Sequence, residues 1–338
     1  MGIREPHFND PDAAREYLEA KLWPSGPFCP HCGVTENIYK LESKATTAVK
    51  NRMRKGVYKC GGCRKQFTVT VGTVFEDSKI PLDKWLFATH LMCSSKKGVS
   101  ALQLQRELWG ETKAADGEKK KINGSYRTAW FMCHRIRWAM TQSPMADAVK
   151  LGGEGAAVEV DETYVGGKTT AKKGGRPGKP TPESNKTPVL ALMERGGNVR
   201  SFPIERATLK NIKPILMTHV DPNSHLVTDD SSVYYMMKPH FAEHSTVNHS
   251  KKEYARKEAN FNVTTNTVES FFALMKRSVY GIHHHMSRKY LGQYCAERDF
   301  VYNNRRVTDD QRADKALAES RGKRLMLRAP KAFASDIK

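Results

Sequence analysis

The stretch Val-Glu-Val-Asp-Glu-Thr-Tyr-Val-Gly-Gly, residues 158–167, decides the fold of the larger part of this chain. Successive side chains of a strand point to opposite faces, so Val158 and Val160 share one face while Glu159 and Asp161 share the other. A strand is therefore predicted over 156–165, with two carboxylates on one face. A carboxylate on a central strand is costly without a partner, which makes this face a candidate site.

Strands and helices alternate outward from this stretch. Two more strands form a predicted hairpin around the turn Arg195-Gly196-Gly197-Asn198. The order strand, strand, strand, helix, strand, helix, strand, helix is that of a ribonuclease-H-like fold, a mixed α/β sheet with helices packed on it. The predicted elements after the first strand are strands at 188–194 and 199–204, a helix at 209–220, a strand at 225–228, a helix at 232–240, a strand at 246–248 and a helix at 266–277.

Three carboxylates lie on separate elements of this order. Asp161 is on the first strand, Asp229 follows the strand 225–228, and Glu269 lies in the last helix seven residues before Lys276. Open sheets bind ligands at the carboxyl ends of their strands. Phosphodiester hydrolysis by two metal ions ~3.5–4 Å apart needs carboxylates that converge from separate elements. We therefore predict that Asp161, Asp229 and Glu269 bind Mg²⁺, which Mn²⁺ can replace, and that Lys276 contacts the scissile phosphate.

Each acid also has a purely structural interpretation. The sequence Asn266-Thr-Val-Glu269 matches a capping box, in which Glu269 satisfies the amide of Asn266. Asp229 and Asp230 could cap the helix that follows them. Glu162 is a rival for the role of the first acid. The residues alone leave these alternatives open.

Basic segments surround the acids. Residues 168–180 (KTTAKKGGRPGKP) contain five basic residues, three glycines and no acid, which predicts a loop that follows a phosphate backbone. A solvated linker has the same composition. The three histidines at 283–285 are adjacent and cannot all face one ion, so we expect one of them to contact DNA or the catalytic site, and we assign the DNA contact to His284. The DNA contacts predicted in this half of the chain are Lys168, Lys172, Lys173, Arg176, Arg277 and His284.

The seven cysteines form two pairs and three single residues. Cys29-Pro-His-Cys32 and Cys60-Gly-Gly-Cys63 are separated by 27 residues, and two such pairs supply four thiolates for a tetrahedral zinc ion. A redox pair or chance spacing is the alternative. We predict a zinc ribbon with a structural role, whose ligands are Cys29, Cys32, Cys60 and Cys63.

Three helices are predicted between the ribbon and the first strand, at 82–95, 100–109 and 125–141, with a polar loop at 110–124. An earlier helix, 10–22, begins with Asp10 as its cap and Pro11 at its first position. Three helices joined by turns suit a helix-turn-helix, whose last helix would lie in a DNA groove. An ordinary three-helix packing unit fits the pattern equally well. The predicted DNA contacts on the last helix are Arg127, Arg135 and Arg137.

The composition agrees with a nucleic-acid partner. The chain has 338 residues, with 56 Lys and Arg against 36 Asp and Glu, which gives a formal charge of +20. Such a charge in a protein with enough apolar residues for real cores indicates a polyanionic partner. No apolar run approaches the roughly 18 residues that span a bilayer, and the N-terminal segment has no export signal. We expect a cytoplasmic protein, associated with the nucleoid.

Long motifs of the chain closely resemble those of the zinc-ribbon DDE transposases of bacterial insertion sequences, the group related to Merlin transposons. They include YKCGGCRKQFTVTVGTVFEDSKIPLDKW, AWFMCHRIRWAM, VEVDETYVGG, VTDD and NTVESFFALMKRSVYGIHHHMSRKYLGQY, between about 28 and 306. The resemblance implies a ribonuclease-H-like catalytic domain whose acids are Asp161, Asp229 and Glu269, with Lys276 as the trailing basic residue. The chain departs from the family at 110–124, which looks like an insertion, and at Val301, where the family places an arginine four residues after a glutamate.

The sequence thus predicts a transposase with five parts: an N-terminal helix (1–26), a zinc ribbon (27–72), a helix-turn-helix-like DNA-binding unit (80–145), a ribonuclease-H-like catalytic domain (155–306) and a basic C-terminal tail (307–338). It would bind the terminal inverted repeats of its element, cut the ends with two divalent ions and transfer the 3′-hydroxyl ends into target DNA. Both ends must be cut together, so a homodimer or larger oligomer is expected. A DNA-binding regulator with a retired catalytic domain and a simple metal nuclease are the alternatives.

Overall fold

The computed structural model describes residues 4–42, 55–110, 124–142, 148–166, 186–248, 251, 253, 255–258 and 261–326. The chain divides into two compact units. The first unit combines Met1–Ser95, Val99–Met140 and Val307–Lys338, and the second unit combines Lys96–Gly98 and Thr141–Arg306. The basic loop predicted at 168–180 and most of the loop predicted at 110–124 lie outside the described residues.

The first unit begins with a helix and a small antiparallel sheet. Helix α1 (Pro11–Leu22) starts as predicted, because the side chain of Asp10 accepts a hydrogen bond from the Ala13 N–H (2.9 Å) and proline occupies the first turn. The sheet has the order β1-β2-β3, and aromatic rings including Trp23 and Tyr58 pack beside its cysteines. Its strands are β1 (Ile38–Leu41), β2 (Val57–Cys60) and β3 (Gln66–Phe67).

The three predicted helices follow with nearly the predicted bounds. They are α2 (Leu82–Ser94), α3 (Ala101–Trp109) and α4 (Tyr126–Ala139). Ser100 and Ser125 cap α3 and α4 through side-chain hydrogen bonds from the backbone three residues later. A C-terminal helix, Asp309–Ala318, also belongs to this unit and packs against α2, where Arg312 donates to the Cys93 carbonyl (2.8 Å).

The second unit is built on a mixed five-stranded sheet with the order β6-β5-β4-β7-β8. The first three strands along the chain are antiparallel, and β7 and β8 run parallel to β4, which is central as predicted. The strands are β4 (Ala157–Gly166), β5 (Lys186–Glu194), β6 (Val199–Pro203), β7 (His225–Asp229) and β8 (Glu243–Val247). A separate hairpin, β9 (Ala255–Glu258) and β10 (Phe261–Thr264), precedes the helix of Glu269.

Helices cover both faces of this sheet. Val158 and Val160 pack with α5 (Leu209–His219) and with α6 (Ser232–Tyr235) on one face. The other face packs against α7 (Asn266–Ser278) and α8 (Leu291–Asn303). The predicted alternation in β4 is therefore confirmed, and Glu159 and Asp161 lie on the face covered by α7.

One predicted helix is shorter in the structure. The helix predicted over 232–240 consists of α6, which ends at Tyr235, and a separate 3-10 turn at Lys238–His240. Pro239 has no backbone N–H to continue the helical hydrogen bonds, which accounts for the break. None of the helices in the described part of the chain is long and apolar enough to cross a membrane.

Candidate active site and zinc centre

Asp161 and Asp229 are neighbours across two parallel strands. Strand β4 pairs with β7 so that Val160 lies opposite Thr228, and each aspartate is the next residue of its strand. Adjacent strands lie ~4.8 Å apart, and paired residues point to the same face. Both aspartates are half-buried, on the face that α7 covers. The structure thus brings together two of the three predicted acids.

The rival first acid, Glu162, lies on the opposite face. The hydroxyl of Tyr234, a fully buried side chain, donates to its carboxylate. Burial, together with the charges of Asp161 and Asp229, raises the pKa of Glu162 to about 7, against the lowering effect of the hydrogen bond from Tyr234. Three carboxylates therefore repel one another at this edge of the sheet, and a cation bound there would relieve the repulsion.

The alternative second acid is engaged elsewhere. Asp230 accepts hydrogen bonds from the hydroxyl of Tyr235 and from the side-chain amide of Asn248 (2.6 Å). Asp229 accepts from the Ser231 N–H at 3.3 Å, but no side chain caps α6. Helix capping thus does not account for the position of Asp229.

Glu269 lies in the first turn of α7, which packs against β4 and β5. Its carboxylate accepts a hydrogen bond from the hydroxyl of Thr265 (2.9 Å). The helix begins one residue earlier than the capping-box interpretation requires, because Thr265 is its cap residue and the N–H of Asn266 donates to the Thr264 hydroxyl (3.2 Å). Lys276, two turns later, is exposed.

The three acids converge less tightly than the cysteines do. Among the described residues, the cysteine cluster is the only group of three or more His, Cys, Asp or Glu side chains whose ligand atoms all lie within 4.8 Å of one another. Carboxylate oxygens are nevertheless the ligands that Mg²⁺ prefers. In a site with two ions, each acid needs to reach only one of them.

Glu159 also lies on this face, and the sequence predicts no catalytic or metal-binding role for it. It is fully buried, and its carboxylate accepts hydrogen bonds from the N–H groups of Thr267 (2.9 Å) and Val268 (3.0 Å) at the start of α7. Arg195 forms an ion pair with the same carboxylate at 3.0 Å. The alternation in 158–161 predicts that Glu159 lies on this face. Its partners Arg195 and Thr267 are 36 and 108 residues away in the sequence, and no pattern in the sequence indicates them.

The arginines of α4 differ in their surroundings. Arg127 is exposed, whereas Arg135 and Arg137 are only 6% and 1% exposed. The Arg135 guanidinium donates to the Glu76 carbonyl and lies over the ring of Trp85. This burial is evidence against the DNA contacts predicted for Arg135 and Arg137, because a guanidinium enclosed by its own unit cannot reach a phosphate.

Other predicted DNA contacts are at the surface or outside the described residues. Arg277 and His284 are exposed, and His284 has a positive φ of 56°. His283, its neighbour, packs against the ring of Tyr294. Lys168, Lys172, Lys173 and Arg176 lie outside the described residues.

The departure from the family at Val301 has a counterpart in the structure. Glu297 is fully buried, and the guanidinium of Arg298 donates to its carboxylate (2.6 Å) and to the Lys96 carbonyl (2.8 Å). An arginine therefore does meet this glutamate, one residue after it rather than four.

The four predicted cysteines form one cluster. The Sγ atoms of Cys29 and Cys63 are 3.6 Å apart, and those of Cys32 and Cys60 are 3.7 Å apart. Four Zn–S bonds of ~2.3 Å in a tetrahedron separate sulfur atoms by about 3.8 Å, so the cluster fits zinc. The Cys63 N–H donates to the Cys60 sulfur and lowers the pKa of its thiol to about 7, which favours the thiolate that binds the metal.

The fold and these two sites define a zinc-ribbon protein with a mixed α/β domain. Residues 9–66 match the transposase zinc-ribbon domain, and residues 150–303 match the ISXO2-like transposase domain. An uncharacterized protein in transposable element ISH50 of Halobacterium salinarum is 28% identical over 275 residues, which cover 78% of this chain and 81% of that protein. These matches confirm the resemblance to the zinc-ribbon transposases of insertion sequences.

Proposed function

We propose that this transposase is a DDE enzyme with a ribonuclease-H-like catalytic domain. In this proposal it binds the terminal inverted repeats of its element, cuts the phosphodiester bonds at the ends, and joins the 3′-hydroxyl ends to target DNA. The observation that carries the proposal is the position of Asp161 beside Asp229 on neighbouring parallel strands, with Glu269 on the helix that packs on the same face.

Asp161, Asp229 and Glu269 are the residues that would hold two Mg²⁺ ions. When bound, divalent ions activate water and stabilise the charge that develops on the scissile phosphate. The aspartates offer carboxylate oxygens from a rigid sheet, and Glu269 offers one from a helix that the sheet supports. Lys276 lies on the same helix as Glu269 and is exposed, so its ammonium group is available to a phosphate of the DNA end.

DNA binding is assigned to the first unit and to the exposed basic residues of the second. On the ribbon, exposed Tyr39 lies opposite exposed Lys59, and Arg64 and Lys65 are exposed beside them. Lysine and arginine bind phosphates, and an exposed aromatic ring offers a stacking surface. Arg127 at the start of α4 adds a further cation, and we assign the helix-turn-helix role to α2, α3 and α4.

The test is cleavage and joining of a labelled terminal-repeat duplex in Mg²⁺ or Mn²⁺. Wild type is compared with Asp161→Ala, Asp229→Ala and Glu269→Ala, and with Asp230→Ala as a matched control. We expect the three acid variants to bind the repeat with wild-type affinity and to lose cleavage, while the control cleaves normally. Tight repeat binding by wild type with neither nicking nor joining would instead identify a DNA-binding regulator, and nicking without joining would identify a nuclease.

A further inference from the structure

The carboxylate of Glu159 connects the strand of Asp161 to the helix of Glu269. One oxygen accepts hydrogen bonds from the Thr267 N–H (2.9 Å) and the Val268 N–H (3.0 Å). The other accepts from the Thr267 hydroxyl (2.9 Å) and from Arg195 (3.0 Å). All these groups meet a side chain that is fully buried.

The start of α7 is an electrostatically suitable place for this carboxylate. The first N–H groups of a helix have no partner within the helix, and the helix dipole is positive at this end. Thr265 is the cap residue of this helix, but its side chain does not cap the N–H groups. Its hydroxyl instead donates to the Glu269 carboxylate. Glu159 therefore acts as the cap, although it lies about a hundred residues earlier in the chain.

Arg195 extends this connection to the hairpin before α7. Its guanidinium donates to the carbonyls of Asn262 (2.9 Å) and Thr264 (3.0 Å), and it lies over the ring of Phe261 at 4.9 Å. Arg195 thus connects the residues that precede α7 to the Glu159 carboxylate, which also binds the first turn of the helix.

We propose that Glu159 is a positioning residue, which fixes the first turn of α7 and thereby sets the distance of Glu269 from Asp161 and Asp229. This inference rests on the proposed function. Glu159 and Asp161 are two residues apart on one face of β4, about 7 Å along the strand. Glu269 directly follows Val268, so a shift of the first turn moves it relative to both aspartates.

The test uses the full chain with Glu159→Gln, and Glu205→Gln as the matched control at an exposed position of the same unit. Glutamine keeps the shape but replaces one accepting oxygen with an NH₂ group that faces N–H donors. Mn²⁺ affinity is measured by electron paramagnetic resonance, with Asp161→Asn identifying the ions bound at the acids, and the folded fraction is measured by circular dichroism.

Groups that orient metal ligands typically change metal affinity 10–100-fold when altered. We expect a loss of about 10-fold or more in Mn²⁺ affinity for folded Glu159→Gln, a parallel loss of repeat cleavage, and unchanged repeat binding. The control should stay within about twofold of wild type. A merely structural role would lower the free energy of unfolding but leave the Mn²⁺ affinity of the folded molecules unchanged.

If Glu159→Gln does not fold, Thr267→Val and Arg195→Lys each remove part of the same contacts and are expected to weaken Mn²⁺ binding in the same direction. Wild-type Mn²⁺ affinity and cleavage in the folded variants would overturn the positioning role alone, provided that Asp161→Asn abolishes both. If wild type itself neither binds Mn²⁺ at the acids nor cleaves, the proposed function fails and this inference fails with it.

Discussion

Substitution of Arg135 distinguishes a packing role from a DNA-binding role. The sequence predicts DNA contacts for both Arg127 and Arg135, but the structure exposes Arg127 and buries Arg135. Its guanidinium donates to the Glu76 carbonyl and lies 5.5 Å from the ring centre of Trp85 and 5.6 Å from that of Phe131. A hydrogen bond from a charged donor contributes about 1.5–3 kcal/mol. Each cation–π contact contributes about 0.5–2 kcal/mol.

We therefore expect Arg135→Ala to lower the free energy of unfolding of the first unit by about 3 kcal/mol, taking the lower parts of these ranges. At about 2–4 °C per kcal/mol, the unfolding midpoint should fall by roughly 6–12 °C. Arg135→Met keeps an apolar stem in the same space and should lose less. Arg127→Ala, at an exposed position, should change stability by at most about 0.5 kcal/mol.

The assay combines urea unfolding with repeat binding, measured by fluorescence anisotropy at several salt concentrations and at a temperature where each variant is folded. Arg127→Ala should weaken binding and reduce the salt slope by about 1, as expected for one lost phosphate contact. Folded Arg135→Met should bind like wild type. If Arg135→Met kept full stability and lost as much affinity as Arg127→Ala, the packing role argued for Arg135 would be refuted.

Three further predictions concern zinc, pH and the ribbon surface. The purified protein should contain one zinc ion per chain by elemental analysis, and Cys60→Ser or a strong chelator should remove it and unfold the ribbon, as followed by circular dichroism; an unchanged spectrum without zinc would contradict this. Burial raises the pKa of Asp299 to about 7, so the native state holds a proton that the unfolded chain releases above about pH 4. The urea midpoint should therefore decrease as the pH rises from about 4 to about 7, and this decrease should be smaller in Asp299→Asn; equal slopes would refute the assignment. Lys59→Glu and Tyr39→Ala should each weaken repeat binding without altering the zinc content, and wild-type affinity in both would exclude this face of the ribbon.

Local features of the fold could be predicted from the sequence because neighbouring residues determine them. The caps at Asp10, Ser100 and Ser125 act on N–H groups three residues later, and the period of two in β4 fixes its faces. The cysteine spacing likewise determines a zinc site that is closed within one ribbon.

Features that depend on distant partners could not be predicted in the same way. An arginine on a helix looks alike in sequence whether it faces solvent, as Arg127 does, or a carbonyl 59 residues away, as Arg135 does. In the sequence, Glu159 resembles a second acid of the site beside Asp161. Its role as a helix cap depends on the packing of α7 on the sheet, which brings the first N–H groups of the helix to its carboxylate. The contact of Glu162 with Tyr234, which lies on another element, likewise could not be predicted from the sequence.

We propose that Asp161, Asp229 and Glu269 form one site that joins a 3′-hydroxyl end to target DNA. The most direct measurement uses a pre-cut repeat end and a supercoiled plasmid in Mg²⁺, with the end carrying either a 3′-hydroxyl or a 3′-deoxy terminus. If the three acids form this site, wild type joins only the end with a 3′-hydroxyl, and Asp161→Asn joins neither end. Joining that does not need the 3′-hydroxyl, that survives in Asp161→Asn, or that passes through a covalent protein–DNA product would contradict it.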